Sequence, residues 1–84
     1  MNARHRRTLT AIFERPTRAD VRWSDVEALV RALGGEVSQG SGSRVRLVLN
    51  GVRGVFHRPH PRPVTDKGAL ASLRMFLENA GTTP

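Results

Sequence analysis

Residues 44–62 read RVRLVLNGVRGVFHRPHPR, and this stretch decides the fold. Asn50-Gly51 lies between alternating apolar residues, which strongly indicates a β-hairpin because both central residues of a type I′ turn need a positive φ. A two-residue turn there fixes the register and gives the hairpin one apolar and one basic face. The apolar face pairs Leu49 with Val52, Leu47 with Gly54 and Val45 with Phe56, and the basic face pairs Val48 with Arg53, Arg46 with Val55 and Arg44 with His57.

Composition limits the class of protein. The chain has 84 residues, no cysteine and a net charge of +7. This length favours one small domain, with no disulfide framework or thiolate metal site to support it. No apolar run approaches the ~18 residues that a membrane-spanning helix needs, and no signal peptide is apparent. We therefore expect a cytoplasmic protein with no membrane partner, no metal site and no small-molecule cofactor.

Arginine supplies 13 of the 14 basic residues. Two explanations fit this bias equally well. One is a GC-rich genome, and the other is a need for guanidinium groups, whose planar fork suits phosphate. The distribution favours the second explanation, since residues 37–65 contain no acidic residue but five arginines. They are Arg44, Arg46, Arg53, Arg58 and Arg62. A basic field focused on the hairpin and the loop after it indicates a polyanionic partner.

Residues 1–22 are predicted to be an N-terminal extension with one short helix. Residues 1–7 are polar and basic, and we expect them to be frayed. Thr8–Glu14 carries apolar residues at helical spacing, and Pro16 ends the helix. Such an amphipathic helix would dock on the domain or on a partner.

A second helix precedes the hairpin. Ser24 and Glu27 form a capping-box pattern, with Ser24 as the N-cap and Glu27 reaching back to it. The apolar stripe that follows predicts a helix over Asp25–Leu33, ended by Gly34-Gly35. Trp23, just before it, is read as a core residue in preference to a base-stacking platform.

A short strand and a loop lead into the hairpin. Glu36–Ser38 is predicted to be the strand. The glycine- and serine-rich segment 39–43 is read either as a simple turn or as a loop that approaches a phosphate. It is not a P-loop, because no Gly-Lys-Ser/Thr follows it and no helix opens after it.

Residues 59–63 have proline at every second position, which favours an extended conformation. Thr65 or Asp66 then caps a final helix over Lys67–Ala80, which Gly81 ends.

The whole chain therefore predicts an α+β fold of the order α-β-β-β-α with an extra N-terminal helix. Two helices pack on the apolar face of a three-stranded antiparallel sheet, and the basic face stays open to solvent.

The ordered set of motifs over about Ser24 to Gly81 resembles the HicA toxins of bacterial toxin–antitoxin pairs. The residues that carry the resemblance are Gly34-Gly35, Gly40-Ser41, Asn50-Gly51, Pro59-His60-Pro61, Lys67-Gly68-Ala69-Leu70 and Asn79-Ala80-Gly81. The resemblance implies a fold like that of double-stranded-RNA-binding domains and a domain over residues 23–84. It also implies cleavage of RNA, as an mRNA interferase, without metal, and inhibition by a HicB-like antitoxin.

One position departs from the family pattern. Members typically carry Gly-Ser-His in the loop, and that histidine is catalytic, whereas this chain reads Gly40-Ser41-Gly42. Metal-free cleavage needs a base for the 2′-hydroxyl and an acid for the leaving 5′-oxygen, and histidine suits both tasks. The histidines of this chain are His5, His57 and His60.

The hairpin register indicates His57 as a candidate to replace the missing loop histidine. If the strand began as early as Gly42, positions 42 and 44 would face the same side of the sheet. His57, opposite Arg44, would then be the diagonal neighbour of position 42 on the basic face. We hypothesise that His57 replaces the missing histidine, with His60 as a second acid–base group or a phosphate contact. The alternative is that His57 is an ordinary cross-strand residue. A metal pair of His57 and His60 is disfavoured, because no third ligand lies nearby in sequence.

Two functions follow. The first is an endoribonuclease toxin that uses His57 and His60. The second is a non-catalytic RNA-binding module, or a degenerate toxin, that keeps antitoxin binding. Both use the same predicted RNA contacts, which are Arg44, Arg46, Arg53, Arg58, Arg62, Ser41 and Ser43.

Overall fold

A computed structural model describes all 84 residues and has three helices, one three-stranded sheet and one two-stranded sheet. The antiparallel three-stranded sheet has the order β2-β3-β4, which confirms the predicted α+β fold. None of the helices is long and apolar enough to span a membrane. The elements are α1 (Ala3–Phe13), β1 (Val21–Arg22), α2 (Trp23–Ala32), β2 (Glu36–Gln39), β3 (Arg44–Leu49), β4 (Val52–His57), β5 (Val64–Thr65) and α3 (Lys67–Asn79).

The hairpin of β3 and β4 has the register that the Asn-Gly turn predicts. Arg44 pairs with His57 at its open end, and Leu49 pairs with Val52 beside the turn. Asn50 and Gly51 have φ values of 50° and 80°, as a type I′ turn requires. The Asn50 side chain also donates a 2.8 Å hydrogen bond from Nδ2 to the carbonyl of Ala80, which ties the turn to the end of α3.

The core lies between the apolar face of the sheet and the helices. Trp23, Phe56 and Phe76 form an aromatic chain with successive ring centroids 6.0 Å apart. Trp23 is only 4% exposed, which confirms the prediction that it is a core residue. Gly54 makes room for the two phenylalanines, since a Cβ there would lie 2.7 Å from the Phe56 ring and 3.0 Å from the Phe76 ring.

The N-terminal helix begins earlier than predicted. The side chain of Asn2 accepts a 2.9 Å hydrogen bond from the backbone N–H of His5, so it caps a helix that starts at Ala3. The expectation that residues 1–7 are frayed is therefore wrong. Leu9 and Ile12 are buried in the same core as the residues of α2 and α3, so the helix docks on the domain.

Two contacts hold the segment between α1 and α2. The buried guanidinium of Arg74 in α3 donates to the carbonyl of Glu14 at 3.3 Å and to Oγ1 of Thr17 at 2.6 Å. Farther along, β1 pairs with β5 in an antiparallel two-stranded sheet that the sequence did not predict. The extension and the final helix are thereby joined.

The capping box at Ser24 is wrong. Helix α2 begins at Trp23, and no side chain caps it. The carboxylate of Glu27 accepts instead from Nε1 of Trp23 at 2.5 Å and from Arg58 at 2.9 Å. A buried indole N–H needs an acceptor, and Glu27 is one turn away on the same helix face.

The other elements lie close to their predicted places. Strand β2 extends one residue beyond the prediction, to Gln39, and α3 begins at Lys67 with Asp66 as its N-cap. Gly34 and Gly81, with φ of 89° and 79°, follow the two helices that they were predicted to end. The proline-rich loop is not extended throughout, because the chain bends at residues 61–63.

Replacing Thr65 with valine is expected to stabilise the fold. Thr65 is 1% exposed, and its hydroxyl has no hydrogen-bond partner. Valine has nearly the same shape, so Thr65→Val removes an unsatisfied buried polar atom worth ~1 kcal/mol. Urea unfolding should show a higher midpoint for Thr65→Val and a lower one for Thr65→Ser, which keeps the hydroxyl and loses the methyl group. A lower midpoint for the valine variant would contradict this.

Candidate nucleic-acid interface

The solvent-facing side of the β3–β4 hairpin carries exposed cationic side chains. Arg44, Arg46 and Arg53 are exposed there, with His57 opposite Arg44. None of the three arginines takes part in an ion pair within the protein. We call this surface, with Val55 between the arginines, the basic face. Its guanidinium groups are free to bind an external anion.

The alternation of the strands separates the basic face from the core. Val45 and Leu47 are fully buried, while the arginines on either side of them in the sequence point to solvent. Neighbouring positions on one face of a sheet lie about 5 to 7 Å apart. That spacing is shorter than the screening length of ~8 Å at physiological salt, so the fields of the arginines add.

A small cavity opens between the basic face and the loop before β3. Its volume is about 160 Å³, and Gly40, Ser41, Arg44, Arg46 and Val55 line it. A water molecule occupies about 30 Å³ of liquid, so the cavity has room for a group larger than one water molecule. The structure thus brings Ser41 together with two of the predicted arginines.

The loop forms a tight turn that holds this cavity in place. Gly40 donates to the carbonyl of Arg44 at 2.8 Å, and the backbone N–H of Arg44 donates to the carbonyl of Ser41 at 3.2 Å. Gly42, at the tip, has a φ of 64°, and nothing lies within 4 Å of the place where its Cβ would be. The strand therefore begins at Arg44.

This turn corrects the geometric argument for His57. For position 42 to be a diagonal neighbour of His57, β3 would have to begin as early as Gly42. The left-handed conformation of Gly42 prevents this, and β3 begins at Arg44. Position 42 is consequently no regular cross-strand neighbour of His57. His57 itself lies where the register predicted, opposite Arg44 and exposed on the basic face.

Arg58 differs from the other arginines predicted to bind RNA. Its guanidinium pairs with Glu27 of α2 at 2.9 Å and donates to Oε1 of Gln39 at 3.0 Å. Its backbone N–H donates to the carbonyl of Ser43 at 2.7 Å. Arg58 thus fastens the loop that follows β4 to α2 and to the end of β2. Sequence reasoning missed this contact, because no local pattern links residues that lie 31 positions apart.

The remaining predicted residues lie on loops. His60 and Arg62 are exposed in the proline-rich segment, and Ser43 is exposed just before β3. None of the three lines the cavity at Ser41. No group of three or more histidine, aspartate or glutamate side chains is arranged to hold a metal ion. The structure thus groups Ser41, Arg44 and Arg46 and leaves His60 and Arg62 apart from them.

Comparison with known proteins identifies the family. A family model described as the HicA toxin of bacterial toxin-antitoxin matches residues 23–82. No curated protein and no solved structure gives a significant match. The matched segment runs from the start of α2 to beyond the end of α3, so it contains the sheet and its basic face. With that segment covering most of its length, the chain belongs to the HicA family and is a toxin of a toxin–antitoxin system, which implies a cognate antitoxin partner.

Proposed function

We propose that this toxin is an endoribonuclease that cleaves mRNA without a metal ion, and that a HicB-like antitoxin neutralises it. The observation that carries the proposal is the basic face, where two of the three arginines without ion pairs, Arg44 and Arg46, line a cavity of about 160 Å³. His57 pairs with Arg44 across the hairpin. Guanidinium groups bind phosphate bidentately, and an open sheet surface admits a single strand whose bases splay away from it.

The chemistry assigns a role to each group. His57 takes the proton of the 2′-hydroxyl, whose oxygen attacks the adjacent phosphorus and displaces the 5′-oxygen. An acid returns a proton to that leaving oxygen, and we assign this role to His60, which is exposed in the proline-rich loop after β4. Arg44 and Arg46 stabilise the negative charge that develops on the phosphate. The products are a 2′,3′-cyclic phosphate and a free 5′-hydroxyl.

The other predicted contacts extend this site along the RNA. Arg53 continues the basic face toward the turn, and Ser41 and Ser43 offer hydroxyl groups to phosphate oxygens. Arg62 is exposed on the loop and contacts a neighbouring phosphate in this proposal. For Arg58 we propose a positioning role, because its guanidinium is already bound to Glu27.

Gly42 favours a second candidate. This chain has glycine at position 42, directly after Gly40-Ser41, where we expect the histidine of the family's Gly-Ser-His pattern. A toxin that has lost this group would bind RNA through the basic face and retain its antitoxin without cutting. The Gly42→His variant discriminates between the two candidates. If the wild type only binds RNA, Gly42→His should give it nuclease activity. If the wild type is an endoribonuclease, it should cut RNA without this substitution.

Cleavage of a labelled transcript by the purified protein tests the proposal. The wild type should cut in the presence of a metal chelator, and a transcript with 2′-deoxynucleotides should resist because it lacks the nucleophile. A protein that binds with a steep salt dependence but leaves the transcript intact would favour the binding module. Cleavage that stops in the chelator would contradict the metal-free mechanism.

A further inference from the structure

The outer edge of β4 carries backbone groups with no partner in the protein. Leu49 and Val52 close a two-residue turn, so they form a hydrogen-bonded pair, and such pairs alternate along the hairpin. Arg53, Val55 and His57 fall between them and direct their N–H and C=O groups away from β3. β4 is the end strand of its sheet, and no loop or cap hydrogen bond involves these three residues.

An apolar cleft runs beside this edge, between β4 and α3. Its volume is about 280 Å³, and its lining includes Gly54, Phe56, Met75 and Phe76. Val55 and Met75 also line it and are 62% and 65% exposed, which makes them the most exposed large hydrophobic residues of the chain. A strand laid along β4 would cover both side chains.

The two edges of the sheet differ in their fitness to accept a strand. β4 has six residues, pairs with β3 without a bulge and contains no proline. β2, at the opposite edge, has four residues and begins with the acidic Glu36. Short edges protect a sheet from added strands, and long regular ones do not. The β4 edge is therefore the one open to pairing.

We propose that the β4 edge accepts an acidic β-strand from the antitoxin, which pairs with the outward backbone groups of Arg53, Val55 and His57. The proposal rests on the proposed neutralisation of this toxin by a protein antitoxin. Main-chain hydrogen bonds supply affinity in such strand addition, and alternate side chains supply specificity. Here one set of side chains packs over Met75 in the cleft, and the other lies next to the basic face.

Charge selects the occupant. Side chains directly opposite each other on neighbouring strands have Cβ atoms about 5 Å apart, so the solvent-facing residues of an added strand adjoin Arg53 and His57. Carboxylates there meet the guanidinium of Arg53, which takes part in no ion pair within the protein. A second copy of the chain is disfavoured. Antiparallel pairing of two β4 strands about Val55 would set Arg53 of each copy against His57 of the other, between molecules of charge +7.

This mode of binding also explains how the antitoxin would exclude RNA. An added strand extends the sheet beyond β4, and its carboxylates next to Arg53 lower the positive potential of the basic face. RNA and the strand then compete for Arg53, although the backbone hydrogen bonds of the strand form at an edge that RNA does not need.

Hydrogen exchange of individual backbone amides tests the proposal. The probe is a synthetic nine-residue peptide of alternating valine and glutamate, added to the full-length protein at millimolar concentration. In the free protein the amides of Val52, Gly54 and Phe56 should be protected, and those of Arg53, Val55 and His57 should exchange rapidly. The peptide should protect the second set, because each of its amides gains a partner. A peptide with lysine in place of glutamate is the matched control and should leave them unprotected.

The outcomes separate this proposal from its rivals. Absence of protection at the three amides, or protection by the lysine peptide to the same degree, overturns it. Protection that appears without peptide and grows with protein concentration points to a second copy and also overturns it. Because the readout is a set of backbone amides, it holds or fails whether or not the protein cleaves RNA.

A pair of variants at Met75 checks the cleft. Met75→Gln sets a polar amide beneath the valine side chains of the strand and should weaken peptide binding about fivefold, because a buried polar group without a partner is unfavourable. Met75→Leu stays apolar and of similar size, so it should bind the peptide more tightly than Met75→Gln does. RNA affinity should be the same in both variants, because neither changes the charge of the protein. Equal peptide affinity in the two variants would contradict the placement of the strand over the cleft.

Discussion

Replacing both Arg44 and Arg46 with glutamate is expected to weaken RNA binding by roughly 10²- to 10⁴-fold, since each charge-assisted hydrogen bond is worth ~1.5–3 kcal/mol. Both guanidinium groups are free of ion pairs and line the cavity beside Ser41. The variant should also lose antitoxin affinity, because the proposed antitoxin strand carries carboxylates next to the same basic face. Fluorescence anisotropy with a labelled single-stranded RNA, repeated at several salt concentrations, measures the first effect.

The salt dependence adds an independent check. Each phosphate contact contributes about −0.7 to the slope of log K against log salt for a single strand, so losing two contacts should flatten the slope by ~1.4. Arg6→Glu with Arg7→Glu is the matched control, because it makes the same change in charge on exposed residues of α1. Equal losses in the two double variants would show that net charge, and not the basic face, governs binding.

Replacing His57 with alanine is expected to slow cleavage by about 10²- to 10⁴-fold, the usual contribution of a positioned acid or base. His57 is exposed opposite Arg44, so its removal should disturb neither the core nor the hairpin register. RNA affinity should therefore change little while the single-turnover rate falls. That split distinguishes loss of a catalytic group from loss of a binding group.

Two other histidines provide the comparison for this variant. His60→Ala should also slow cleavage if His60 is the acid, whereas His5→Ala should not, because His5 is on α1 in the N-terminal extension. Cleavage that is unchanged in both the His57 and the His60 variants would remove the histidine mechanism. The arginines would then have to act with a base from another part of the chain.

The hairpin could be predicted residue by residue because its cause is local. Asn50 and Gly51 adopt the two positive φ values of the turn, and the alternation of side chains then determines every pair as far as Arg44 and His57. The end of α3 could be predicted for the same reason, since Gly81 follows it in a left-handed conformation. These features depend on neighbours in the sequence, so the sequence shows them.

Features that depend on side-chain contacts, irregular turns or tertiary pairing, which leave no periodic pattern in the sequence, were missed or misread. Glu27 resembles the last residue of a capping box, but its carboxylate accepts hydrogen bonds from Arg58 and from the indole of Trp23. The start of β3 could not be placed, because the turn at Gly42 closes through bonds between Gly40, Ser41 and Arg44. The two-residue strands β1 and β5 are too short to have any periodicity and are paired only by the tertiary fold.

Titration of the ¹⁵N-labelled protein with a single-stranded RNA tests most directly whether the basic face is the RNA site. Chemical-shift changes should cluster at Ser41, Arg44, Arg46, Val55 and His57, and the exposed side of α1 should stay unchanged. Cleavage during the titration is avoided by 2′-O-methyl substitution along the strand, which blocks the nucleophile and keeps the phosphates. Changes centred on α1 or α3, with the β3–β4 hairpin unaffected, would contradict the account.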